Sequence, residues 1–166
     1  MARWEPGSRG RLEQAALELF FERGFDETTV EAIASRAGVT ERTFFRHFAD
    51  KREVLFSRSQ DLCDLLVAAM DDAFDPARPM DAVVAAFEAA AALLGQRREH
   101  SVRRQSVIMA NTELRERELI KLASIAGAVA ARLRARGVAD PTATLAAEAG
   151  VAVFRVAFER WVDGTE

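Results

Sequence analysis

The 166-residue sequence has no tyrosine, one cysteine, two histidines and four prolines. Each scarcity removes a class of protein. The single Cys63 excludes an internal disulfide framework and is expected to be a small apolar helix residue. Two histidines without a surrounding cluster of ligands leave no metal site. No apolar run approaches the roughly 20 residues of a membrane-spanning helix, so no membrane partner is expected. The opening "MARWEPGSRGR" is basic but lacks the apolar core of about 7–15 residues that a secretory signal carries, and the expected location is the cytoplasm. There is no serine elbow, no phosphate-binding glycine loop and no His-rich motif, so neither an enzyme nor a cofactor is expected.

What is present is 49% apolar and 30% charged, the composition of a globular chain. The length suits one domain with a real core, or a small head joined to a helical body. Alanine, leucine, arginine and glutamate dominate, apolar residues recur at three and four, and strand-type alternation is missing, which predicts an all-α fold. Leu12, Ala15, Ala16, Leu19 and Phe20 form the stripe of a first helix that ends at Gly24. In "DETTVEAIASRAG", Thr28 or Thr29 caps a short second helix that buries Val30, Ile33, Ala34 and Ala37. Only Gly38 and Val39 then separate it from a third helix capped by Thr40. A long, continuous fourth helix is expected from Lys51 to Phe74, where "DPARP" breaks it with Pro76 and Pro79. Four more helices follow, the last opened by Asp140 as cap and Pro141 at its first helical position.

A net charge of −3 argues against a nucleic-acid partner until the charge is located. Arg36, Arg42, Arg46, Lys51 and Arg52 face only Glu41 and Asp50 in one short stretch, a local excess of three positive charges. On a helix of about 100° per residue, Phe44 and Phe48 point one way while Arg42 and Arg46 point the other, flanked by Thr43 and Phe45. An apolar side that fixes orientation and a pair of guanidiniums that can bond guanine edges is what reading a major groove requires. Thr40 at the helix start could meet one phosphate and Lys51 the next.

Short helix, tight turn and short helix make a helix-turn-helix. The residues Ala16, Leu19, Phe20, Glu22 and Gly24, then "TTVEAIASRAGV", then "TERTFFRHFADKREVL" resemble the N-terminal domain of TetR-type transcriptional repressors over about residues 11–55. The resemblance implies a DNA-binding head at residues 1–52, with a ligand-binding and dimerisation body at 53–166. It also implies DNA contact by Thr28 or Thr29, Thr40, Arg42, Thr43, Phe45, Arg46, His47 and Lys51. Phe45 stands where the family commonly has a phosphate-bonding tyrosine, and Arg42 where it commonly has glycine. The family also normally continues into a further helix beyond the position of Glu166.

The last helix carries Leu145, Val151, Val153, Phe154, Val156, Phe158, Trp161 and Val162 around most of its circumference, interleaved with Ala146, Ala149, Gly150 and Ala152. It is expected to be buried in a two-fold dimer, with Ala149, Val153, Phe154, Phe158 and Trp161 at the contact, or else to be the central helix of a monomeric bundle. Ligand-pocket candidates are Leu66, Met70, Phe87, Arg103, Met109 and Ile125, although their spacing fits plain core equally well. They favour a small hydrophobic effector, and the "RTFFRHF" core with the tryptophan-bearing last helix also resembles the mycofactocin-associated, acyl-CoA-responsive branch. The rival to a ligand-responsive repressor is a helical interaction adaptor that does not bind DNA.

Overall fold

The computed structural model describes residues 7–75 and 77–164. Nine α-helices occur among them: α1 (Ser8–Arg23), α2 (Val30–Arg36), α3 (Glu41–His47), α4 (Glu53–Phe56), α5 (Ser59–Asp72), α6 (Pro79–Gly95), α7 (Arg98–Met109), α8 (Thr112–Ala135) and α9 (Thr142–Asp163). There is no strand among the described residues. The chain forms two compact units, one of residues 7–58 with Arg103–Leu114, the other of Ser59–Val102 with residues 115–164. The sequence places a boundary after Arg52; the first compact unit runs on to Arg58 and takes in a distant segment.

In the first unit Leu12, Ala16, Leu19, Phe20, Ile33, Phe44 and Phe48 share one apolar cluster with Val107, Ile108 and Leu114. Thr29 caps α2 by accepting the Ala32 N–H, and Thr40 caps α3 by accepting that of Thr43. Between the two helices Gly38 adopts φ +67°, the left-handed region that a side chain disfavours. The turn closes as the Val39 N–H donates to the Ala34 carbonyl at 3.0 Å, and Arg11 donates to the Ala37 carbonyl at 3.2 Å.

Two expectations change here. The continuous fourth helix is broken at Ser57 and Arg58 into α4 and α5. Side chains take the carbonyls that helix continuation would use: Ser57 Oγ donates to the Val54 carbonyl at 3.3 Å, and Arg9 donates to the Ser57 carbonyl at 3.1 Å. Lys51, expected on a phosphate, is turned inward. Its Nζ donates to the carbonyls of Phe25, Asp26 and Thr28 at 2.7, 3.3 and 3.1 Å and lies 4.4 Å from the centre of the Phe25 ring. The ammonium thereby braces the turn between α1 and α2.

The segment 103–114 is tied to the same unit by polar contacts. Arg104 donates to the Leu55 carbonyl at 2.9 Å, Asn111 donates to Asp26 at 3.2 Å, and Arg52 pairs with Glu113 and Asp50.

In the second unit Leu66, Met70, Val83, Phe87, Ile125, Val129, Leu133 and Val151 form a separate core. The expected break at "DPARP" precedes α6: Pro79 opens the helix and the Asp75 carboxylate accepts the Ala77 N–H at 2.9 Å, while Pro76 lies outside the described residues. Asp140 accepts the Thr144 N–H and hydroxyl at 3.3 and 2.9 Å and so caps α9, which begins just after Pro141. Arg132 grips Asp71 through two bonds of 2.7 and 2.6 Å and holds its carboxyl below the usual carboxylate range.

Gly150 lets α6 and α9 cross closely, since a Cβ there would lie 2.4 Å from Val83 Cγ1 and 2.8 Å from the Phe87 ring. Both neighbours are buried and have little room to yield. Gly150→Ala is therefore expected to lower stability. Overpacking of about 1–3 kcal/mol outweighs the roughly 1 kcal/mol that alanine gains in helix propensity, and a urea titration against wild type measures the balance. Lys51→Ala is expected to cost about 1–3 kcal/mol by leaving three carbonyls without their charged donor. Thermal unfolding checks this, and an unchanged melting temperature alongside weakened DNA binding would return Lys51 to the phosphate role.

Candidate nucleic-acid interface

The candidate surface is built on α3, and its orientation comes from the side that is hidden. Phe44 is fully buried, with its ring 5.4 Å from that of Phe48 at the helix end. With these two rings in the core, the opposite face carries Arg42, Phe45 and Arg46, all exposed, with Thr43 half-buried beside them. Arg42 and Arg46 make no ion pair among the described residues. Asp50, a possible neutraliser of Arg42, is engaged by Arg52 at 2.7 Å. Arg36 is also spent, pairing with Glu22 at 3.0 Å and Glu18 at 3.4 Å, and it holds the Glu22 carboxyl below its ordinary range. The positive stretch in the sequence thus resolves into two outward guanidiniums on one face.

The other expected contacts divide by where their polar atoms go. Thr29 and Thr40 are exposed at the starts of α2 and α3, each accepting a cap hydrogen bond. The Thr40 hydroxyl also lies 3.2 Å from that of Thr43. Thr28 is only 1% exposed and its hydroxyl donates to the Gly24 carbonyl at 2.8 Å, so it shapes the turn and leaves Thr29 as the outward threonine. His47 is half-buried, with Nε2 2.9 Å from the hydroxyl of Ser8 at the start of α1, and so docks α3 on α1. Lys51 belongs to the turn brace. Phe45 remains 54% exposed, its ring held edge-on against Phe44 at 5.4 Å and 83°.

Sequence reasoning missed Asn111 and Arg104 as parts of this unit and Ser8 as the partner of His47. A serine opening a helix is ordinary, and nothing local in residues 103–114 marks them as neighbours of residues 26 and 55. The pocket candidates also separate. Leu66, Met70, Phe87 and Ile125 pack into the core of the second unit. Met109 is exposed and Arg103 lies 5.5 Å from the Phe21 ring, both in the first unit. A cleft of about 550 Å³ is instead lined by Ala77, Arg78, Pro79, Met80, Asp81, Thr142, Leu145 and Ala146. On α9, Phe154 stacks against Phe87 at 5.1 Å, and Phe158 and Trp161 continue that inner row. Of the expected dimer residues only Ala149 and Val153 face outward, in a stripe with Leu145 and Val156.

Residues 13–57 match the family of bacterial regulatory proteins of the tetR type. Over 82 residues the chain is 40% identical to the HTH-type transcriptional regulator TcmR of Streptomyces glaucescens, covering 49% of this chain and 36% of that protein. Over 86 residues it is 36% identical to the HTH-type transcriptional repressor KstR2 of Mycobacterium tuberculosis, covering 49% of this chain and 43% of that one. The matched stretch therefore spans less than half the length of these curated relatives. The whole fold is similar to the fatty acid degradation regulator FadR of Bacillus halodurans, with a TM-score of 0.67 at 19% identity over 93% of this chain and 87% of that one. The matched residues 13–57 coincide with the capped helix-turn-helix of α2 and α3, so the first unit carries a segment similar to the TetR family of bacterial regulatory proteins.

Proposed function

We propose that this protein is a DNA-binding transcriptional regulator, a homodimeric repressor released from its operator by a small hydrophobic effector. The observation that carries the reading is the outer face of α3, where Arg42 and Arg46 make no ion pair among the described residues and stand beside Phe45 on a helix locked by buried Phe44. Unpaired guanidiniums on a rigid helix are placed to donate to guanine O6 and N7. An adaptor would have no need for two uncompensated arginines there. Dimerisation is supported by the outward stripe of Leu145, Ala149, Val153 and Val156 on α9, with Leu119 and Ile120 exposed on α8. Apolar area of this kind favours self-association. The naming of KstR2 as a repressor supports the sign of regulation. An acyl-CoA thioester is the effector class to test first.

Arg42→Ala is expected to relax base preference by about 1–3 kcal/mol at one position per half-site while changing binding to random DNA little. Competition gel shifts against operator and random duplexes measure this, and equal losses on both would remove Arg42 from base reading. If the effector acts by release, linkage requires that it bind the operator complex roughly 5–150-fold more weakly than the free protein. Calorimetric titration of an acyl-CoA into each checks this, and equal affinities would exclude the coupling.

A further inference from the structure

Phe45 is a large apolar ring on a face otherwise made of cations and hydroxyls, and the family's phosphate-bonding hydroxyl is missing from it. It has no donor for a phosphate, it is more than half exposed, and its edge-on contact with the buried Phe44 ring fixes its direction. Three residues from Arg42, it occupies the neighbouring position on the same face of α3, about 5–6 Å away between Cβ atoms. The major groove displays one apolar group to such a ring, the C5-methyl of thymine.

We propose that Phe45 is a specificity-determining residue that reads a thymine methyl group, resting on the reading of α3 as a DNA-recognition helix. Three residues advance a helix by about 4.5 Å, against about 3.4 Å per base step. The thymine therefore falls within one or two base pairs of the guanine bonded by Arg42. The arginine reads the purine edge, and the ring rejects pyrimidines that lack the methyl. Removing that methyl loses only apolar contact, so the effect is modest and specific to one position.

The test begins with selection of tight-binding duplexes from a random pool by the full chain. Each thymine of the selected site is then replaced by deoxyuridine, which differs only by the methyl, and affinity is read by fluorescence anisotropy. One thymine per half-site is expected to weaken binding roughly three- to ten-fold when replaced. Phe45→Ala is expected to bind the thymine and uracil duplexes equally, and Phe45→Leu to retain part of the discrimination. Uniform tolerance of deoxyuridine by the wild-type protein, or an undiminished penalty in Phe45→Ala, would overturn the proposal while leaving DNA binding intact. Failure to enrich or bind any duplex even at low salt would overturn the recognition-helix reading itself, and this inference with it.

Discussion

The burial of Phe44 is the constraint on which the candidate interface depends. A seven-residue helix has little stability of its own, and its direction in space is set by what it packs against. With Phe44 fully buried and Phe48 beside it, α3 can present only one outer face. The Phe44 ring also holds Phe45 edge-on, and the His47–Ser8 contact keeps the helix from rolling. Specific recognition needs side chains held to fractions of an ångström, and here a hydrophobic anchor supplies that rigidity.

Around this anchor most charge is spent on construction. Arg36 closes on Glu22 and Glu18, Arg52 on Asp50 and Glu113, and Lys51 on three backbone carbonyls. The cations left outward on α3 are Arg42 and Arg46. Near α3 the carboxylates of Glu18, Glu22 and Asp50 are taken up by Arg36 and Arg52, so a chain of net charge −3 still presents Arg42 and Arg46 outward.

In the body, small residues on α9 serve two faces at once. Gly150 lets the backbone approach Val83 and Phe87 closely, and the Phe87–Phe154–Phe158–Trp161 row lines that inner side. Arg98 lies 5.5 Å from the Trp161 ring and donates to its carbonyl, closing the row at its end. The outer stripe of Ala149 and Val153, the latter 67% exposed, faces away from that row.

The helical class, a cap of α2 at Thr28 or Thr29, the cap at Thr40, the short turn at Gly38 and the opposed faces of α3 were legible in the sequence. They rest on interactions spanning a few residues, and period and residue type encode such interactions directly. The helix break at Ser57 was not legible, because it depends on Arg9 and Glu13, more than 40 residues away. Nor was the role of Lys51, whose acceptors are carbonyls that any residue carries and which become a site only when the turn at 25–28 meets the end of α3. The faces of α9 show the same division. Composition showed that the helix was apolar nearly all round, but the choice between inner aromatics and outer alanine and valine was made by the docking of α6. Local periodicity determined which helices form and how each is capped; long-range packing decided which polar atoms are consumed inside and which face outward, because burial belongs to the assembled fold and to no single stretch of chain.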